Sequence, residues 1–387
     1  MSSGAQTVVN CRPEQRMGKL QLSGRMRGTL RVLMPGWLRI ADSYGPEFPP
    51  LVCDGLCARV HRDWPEDPEF IPQWLALMER NPAATVFCSP AWQSAVVDEF
   101  VPARQFRLVT VYRDNQLLAL LPLTLNTASM LETPGKPVTD YLDPLVDAQN
   151  AEECWSIILL LLQKLWDWSV GGLVLDNIRG DSPLRQMLPS LGRRHGFGYR
   201  ESVLQVAPYI LLPRTWDEYL RRLDSVERKE LKRKIRNANE RATCQFLTHT
   251  EPQQVAAALE RALAAMRQAA SLKADFTDEV LCGFLRRLCP TLNQQGDFQI
   301  QELILENRPA AWLLVLRSDK GPMIYNTSYD FSLRHWSPGA VSFGLAIQQA
   351  IAAGYPVFNF LRGAEEYKKR LGASDLELFK ITLWPGR

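Results

Sequence analysis

Several features that would place a chain at once in a specialised class are missing here. The eight Cys, at positions 11, 53, 57, 88, 154, 244, 282 and 289, show no paired spacing. That excludes a disulfide framework and is the usage of a reduced, cytoplasmic protein, in which Cys is mostly a small buried hydrophobe. Long apolar runs are also missing. The longest, inside "CWSIILLLLQKLW", is Ile157 to Leu162, and Gln163 and Lys164 end it far short of a membrane span. No apolar h-region follows the N-terminus, so no secretory signal is read. Nor is there an excess of one charge: the net value is +3, which gives no global electrostatic case for nucleic acid and leaves any basic partner site local.

What is present is the composition of an ordinary globular protein, 46% hydrophobic and 22% charged with 11 Trp, in 387 residues, enough for two domains that each bury a core. Residues 1–41 hold seven basic residues (Arg12, Arg16, Lys19, Arg25, Arg27, Arg31, Arg39) against Glu14 alone. Residues 1–55 therefore read as a basic N-terminal extension, either a disordered arm or an over-extended start, since Met17, Met26 and Met34 offer other beginnings.

The remainder divides into two halves, 56–210 and 211–387, with the same order of elements. In the first, "FRLVTVYRDNQLLALLPL" (Phe106 to Leu123) is a hairpin turning at Asp114-Asn115. A helix over about 150–169, the strand "GGLVLDNI", a helix near 183–194 and the strand-like "VLQVAPYILL" follow. In the second, three strand runs turn at Glu306-Asn307 and at Asp319-Lys320-Gly321. A helix from Pro338 to Ala353, the strand "PVFNF", the short helix of "FLRGAEEYKKRLG" and a last strand "LELFKITLW" complete it. Meander, helix, strand, helix, strand, twice over, predicts two α/β units in tandem, joined through about 211–242.

Ser337 suits an N-cap, Pro338 the first helical position and Gly354 the stop of the helix between them. Gly339, Ala340, Ser342 and Gly344 crowd its first two turns. Small side chains there either let an anion reach free N–H groups at the positive helix end or let the helix pack closely. In "AEEYKKRLG", Glu365 with Lys369 and Glu366 with Arg370 are favourable i,i+4 pairs, whereas Lys368 has no such partner. Asp330 closes the strand in "SYD", where a carboxylate orients an amine, accepts its proton or simply starts a turn. Tyr329, Tyr367 and Arg362 are positioned to line the same cleft, and His335 in "LRHW" is a candidate base or an ordinary loop residue.

The helix "SVERKELKRKIRNANERA" carries seven Lys/Arg from Arg228 to Arg241 over a narrow apolar stripe of Leu231, Ile235 and Ala238. It is a solvated surface helix or the contact for a phosphate-rich ligand such as CoA, a nucleotide sugar or a tRNA acceptor stem. Cys53, Cys57 and His61 would share a face of a helix, but three ligands without a fourth make no zinc site, and no metal is expected.

The strand ending in "YD", the "SPG" helix start, the strand ending in "FLRG" and "EEYKKRLG" together resemble the acetyltransferase-like domain of the CelD branch of the GNAT superfamily. That branch is similar in plan to the FemABX peptidyltransferases, with two GNAT-like domains in tandem, each a mixed, mostly antiparallel sheet flanked by helices. "TVFCSPAWQSAV", "LLALLPL" and "YLDPLV" carry the likeness upstream, so that it covers most of residues 80–385. The resemblance implies direct acyl transfer to an amine in a ternary complex, in which positioning and oxyanion stabilisation supply most of the catalysis. It implies acyl-CoA, acetyl-CoA in kind, as co-substrate, with its pyrophosphate at Ser337, Pro338, Gly339 and Ala340 near Arg362, and Lys368 at the transfer centre with Asp330, Tyr367 and His335. The acceptor it implies is an amino sugar, an envelope or exopolysaccharide precursor, or a small metabolite. Two other readings stay open. One is a FemABX-type aminoacyl-tRNA-dependent transferase using the basic helix. The other is a catalytically inactive GNAT scaffold in polysaccharide assembly, favoured by the absence of a Gln/Arg-x-x-Gly-x-Gly/Ala signature.

Overall fold

The computed structural model describes residues 48–166, 170–270 and 278–386. The basic residues of 1–41 and the last three positions of the helix expected over 150–169 lie outside them. The described residues form one compact unit.

The first half runs β1 (Leu51–Cys53), β2 (Leu56–His61), α1 (Phe70–Arg80), α2 (Pro90–Phe100), β3 (Phe106–Arg113), β4 (Gln116–Leu125), β5 (Met130–Glu132), β6 (Leu145–Val146), α3 (Ala151–Trp166), β7 (Gly172–Arg179), α4 (Pro183–Arg194) and β8 (Phe197–Leu211). The second runs α5 (Trp216–Arg222), α6 (Ser225–Arg241), β9 (Gln245–His249), α7 (Pro252–Ala270), α8 (Asp278–Gln294), β10 (Phe298–Leu305), β11 (Arg308–Leu316), β12 (Met323–Tyr329), α9 (Pro338–Ala352), β13 (Val357–Asn359), α10 (Glu366–Arg370) and β14 (Ser374–Pro385). The repeated order is thus present: β2-β3-β4, α3, β7, α4, β8 is matched by β10-β11-β12, α9, β13, α10, β14.

Local chemistry sets the turns. Asp114 and Asn115 (φ 47° and 65°), like Glu306 and Asn307 (φ 53° and 58°), take the two left-handed positions of a tight hairpin, which Asn and Asp tolerate best. The Ile157–Leu162 run forms a core helix, with Ile157, Ile158, Leu159, Leu161 and Leu162 all buried against the first half of the sheet. Among the described residues no helix is long and apolar enough to cross a membrane.

Two expectations change. Residues 51–53, assigned to the extension, form β1, and its hairpin with β2 turns at Asp54 and Gly55 (φ 49° and 74°). Cys53, Cys57 and His61 therefore lie on strands and share no helix face, and the His61 ring is hydrogen-bonded to Thr110 Oγ1 at 2.8 Å. No metal-binding cluster occurs among the described residues.

The fourteen strands of the described residues join one sheet, ordered β1-β2-β3-β4-β5-β7-β14-β8-β13-β12-β11-β10-β9 with β6 on β4. The halves interlock within it. β14, the last strand of the second half, lies between β7 and β8 of the first, pairing with β8 from Ser374↔Tyr209 to Pro385↔Phe197. In the first half the space between β4 and β7 is filled by β5, bonded to both. In the second half no strand among the described residues fills the corresponding space between β12 and β13.

Candidate active site

β12 and β13 are parallel and in register at a single position, Met323↔Asn359, where the Asn359 N–H donates to Pro322 O at 3.0 Å. Beyond it the two strands part. β12 stays with β11 as far as Ala311↔Tyr329. The chain after β13 instead follows β8: Phe360 N–H donates to Pro208 O and Gly363 N–H to Val206 O. The result is a wedge open between Tyr325–Tyr329 and the Leu361–Gly363 turn.

That turn is strained, with buried Leu361 left-handed at φ 56° and Gly363 at φ 115°. A left-handed Leu persists only when its surroundings over-determine it. Here they do. Leu361 N–H donates to Asn359 Oδ1 at 2.8 Å and Arg362 N–H to Asp140 Oδ2 at 3.2 Å. The Arg362 guanidinium turns inward, onto the Asp140 carboxylate, Lys136 O (2.7 Å) and Pro137 O (3.0 Å). Asn359 Nδ2 donates to the Tyr141 hydroxyl at 2.8 Å, and the Tyr325 hydroxyl donates to Val138 O at 2.8 Å. Residues 136–141 of the first half thus wall the base of the wedge. Burial pushes the Asp140 carboxyl up from its ordinary value, against the pull of Arg362 and Lys368.

Lys368 is only 2% exposed. Its ammonium has three N–H groups and three acceptors: Arg362 O at 2.7 Å, Gly363 O at 3.1 Å and Glu365 Oε2 at 2.8 Å. In this state it has no donor left for a substrate oxyanion, and it holds the turn from beneath. The two i,i+4 pairs expected here are absent. Glu365 is extended (φ −63°, ψ 130°) ahead of a helix of five residues, so it reaches Lys368 at i+3, while Lys369 lies 3.7 Å from Asp375. The Tyr367 ring packs on Phe343 (5.1 Å) and Phe360 (6.4 Å), and burial, with the Glu365 charge second, pushes its hydroxyl up.

The other candidates gather at the far end of β12. Asp330 Oδ1 accepts from Ser332 N–H at 2.8 Å and Oδ2 pairs with Arg308 at 3.0 Å, starting the 3₁₀ turn Phe331–Trp336. His335 is exposed and lies 5.1 Å from the Trp336 ring. Ser337 is not the side-chain cap the sequence suggested. It is left-handed (φ 55°, ψ 51°) at the junction of the 3₁₀ turn and α9, and its side chain makes no capping bond. Pro338 is buried at the first helical position, and Gly339 and Ala340 are half-exposed. A Cβ on Gly339 would meet nothing nearer than Tyr329 at 4.0 Å, whereas one on Gly344 would lie 2.8 Å from Ile235. The small-residue stretch therefore divides, Gly344 serving the packing of α6 on α9 and Gly339 leaving space. No hydrogen bond or ion pair among the described residues joins Asp330 or His335 to the Arg362–Lys368 turn.

α6 buries Leu231 and Ala238 in the second half's core. Glu230 pairs with Arg233 and lies 3.6 Å from Lys234, while Arg228, Lys229, Lys232, Arg236 and Arg241 make no ion pair among the described residues.

Sequence reasoning missed Lys136, Asp140, Tyr141, Tyr325 and Asn359. Tyr141 opens the conspicuous "YLDPLV", but nothing in that stretch or in Asp140 just before it says that Asp140 meets a guanidinium at position 362.

Residues 225–369 match the acetyltransferase (GNAT) domain family. Among solved structures the chain is similar to FemX (12% identity, 80% of this chain and 95% of that one, TM-score 0.56). It is also similar to a conserved protein of Bacteroides thetaiotaomicron VPI-5482 (9% identity, 81% and 97% coverage, TM-score 0.51). A tandem GNAT protein from the clavulanic acid biosynthesis pathway aligns with 14% identity over 82% of this chain and 96% of its own, at TM-score 0.45. No curated protein sequence matches the chain. At these identities the likenesses are of fold.

Proposed function

We propose, from the premise that residues 225–369 form a GNAT acetyltransferase domain, that this protein is an N-acyltransferase whose acyl-CoA donor enters the wedge between β12 and β13. The observation that carries this reading is the single-position pairing of the two strands, Met323↔Asn359, beyond which the β13-facing edge of β12 has no strand partner among the described residues. Such an edge offers backbone groups to the amides of an extended ligand. The half-exposed Gly339 and Ala340, with no capping bond from the Ser337 side chain to the N–H groups there, leave room for the phosphates at the positive end of α9.

The reaction needs little covalent chemistry from the protein. The amine nitrogen attacks the thioester carbonyl, the C–N bond forms, the C–S bond breaks, and the departing thiolate takes up a proton equivalent to the one the amine loses. Holding both reactants in one wedge makes this step effectively unimolecular. Lys368 contributes by position: it fixes the Leu361–Gly363 turn and thereby the width of the opening. The Asp140–Arg362 contact fixes the other half of the molecule against that turn.

Calorimetric titration of CoA and acetyl-CoA into the full chain tests the reading, with Gly339→Arg as control, a position where a side chain has space. Saturable binding that the variant loses supports it. No binding at millimolar ligand overturns acyl-CoA as donor.

A further inference from the structure

The corner where α5 meets α6 combines two features that the acyl-transfer reading leaves unused. The first is charge. Leu211 to Arg241 hold ten Lys/Arg against six Asp/Glu, an excess of four in a chain whose total is +3. Arg222 is paired with Glu218, and Arg233 and Lys234 share Glu230. Arg214, Arg221, Lys229, Lys232, Arg236 and Arg241 are exposed and make no ion pair among the described residues. α10 adds exposed Lys369 and Arg370 beside this surface, because the Tyr219 hydroxyl of α5 donates to Leu371 O at 2.9 Å. The second feature is apolar. Leu211 is 61% exposed and Val226 68%, among the most exposed large hydrophobic residues of the described chain. Both sit at the same corner, since Arg222, four residues before Val226, donates to Leu211 O at 3.0 Å.

We infer that this corner docks the protein on an anionic lipid bilayer, with the basic side chains of α5 and α6 on the headgroups and Leu211 and Val226 dipping into the interface. Charge alone would suit any polyanion. The aliphatic tips decide between them: they gain nothing against a phosphodiester backbone, α6 has no aromatic residue and the half-exposed Trp216 of α5 already stacks on Tyr219 (5.0 Å), whereas at a membrane the tips leave water. The inference is independent of the donor and of the reaction.

Co-sedimentation of the full chain with extruded vesicles of phosphatidylcholine, alone or with one third phosphatidylglycerol, tests it. Binding to the anionic vesicles is expected to be at least about tenfold tighter and to weaken with added salt. Lys229→Glu with Lys232→Glu should abolish the difference. Leu211→Ser with Val226→Ser should weaken binding severalfold while the salt dependence persists. Thermal melting of both pairs, unchanged because these side chains are exposed, shows that the fold is intact. Equal partitioning to both vesicle types, or binding indifferent to the charge reversal, overturns the inference. So does capture of a short RNA without vesicle binding, which would assign the surface to nucleic acid.

Discussion

Replacing Arg362 by Met removes the contact on which the geometry of the wedge depends. The Arg362 and Asp140 side chains are 19% and 8% exposed, so the substitution leaves a carboxylate buried without its cation. Breaking one partner of a buried ion pair costs about 3–5 kcal/mol. Unfolding entropy of about 2.1 cal/mol/K per residue over roughly 340 residues gives about 0.7 kcal/mol/K, so the melting temperature should fall by roughly 4–7 °C. Much of that cost is the unpaired charge and not the lost contacts. Arg362→Met combined with Asp140→Asn should therefore be more stable than Arg362→Met alone, by about 1–3 kcal/mol. The pH dependence has a defined sign. With Arg362 gone, burial holds the Asp140 carboxyl above its ordinary 3.8 with less opposition. Below 3.8 the penalty is absent, and it grows as pH rises through the folded-state value. Urea unfolding followed by Trp fluorescence at several pH values measures all of this. A double variant whose loss equals the sum of the two single losses, at every pH, would refute the reasoning.

Two further outcomes concern buried charge. Lys368→Met removes the donor to the Arg362 and Gly363 carbonyls; unsatisfied acceptors cost about 1–3 kcal/mol each, partly offset because no ammonium is desolvated. A net loss of about 2–3 kcal/mol and faster exchange of the Gly363 amide are expected, and an unchanged melting temperature would show that the turn stands without it. Glu302 is buried on β10, where burial alone would raise its pKa. Its hydrogen bonds from Arg261, His249 and Trp312 outweigh that and hold it below its ordinary 4.5. A depressed carboxylate stabilises above pH 4.5 and loses that contribution as pH falls through the folded-state value. Glu302→Gln should cost about 2–3 kcal/mol at pH 7, with the gap to wild type narrowing below pH 4.5. A constant gap across that range would contradict the assignment.

Local signals were legible because their causes are local. Asp114-Asn115 and Glu306-Asn307 announce hairpins through residues that tolerate left-handed backbone, and Pro338 and Gly354 bracket α9 in the structure as in the sequence. The doubling of the fold was legible because its order of elements repeats. The exchange of β14 into the first half's side of the sheet was not, since strand neighbours are chosen by packing over the whole chain and leave no mark in a strand's own residues. The same holds for the site. Lys368 was visible as a lysine without a helical partner, yet its partners are two backbone carbonyls of a turn that exists only once Asp140, far away in sequence, has fixed Arg362. Ser337 misled because a good capping residue can also be the left-handed hinge between two helices.

The measurement that bears most directly on the wedge as the donor site is hydrogen exchange with and without saturating acetyl-CoA. Slowed exchange confined to Tyr325–Tyr329, the first turn of α9 and Leu361–Gly363, with the β4–β7 side unaffected, is the predicted result. Protection around β4, β5 and β7 instead, or none in the wedge while the ligand is bound, would contradict it.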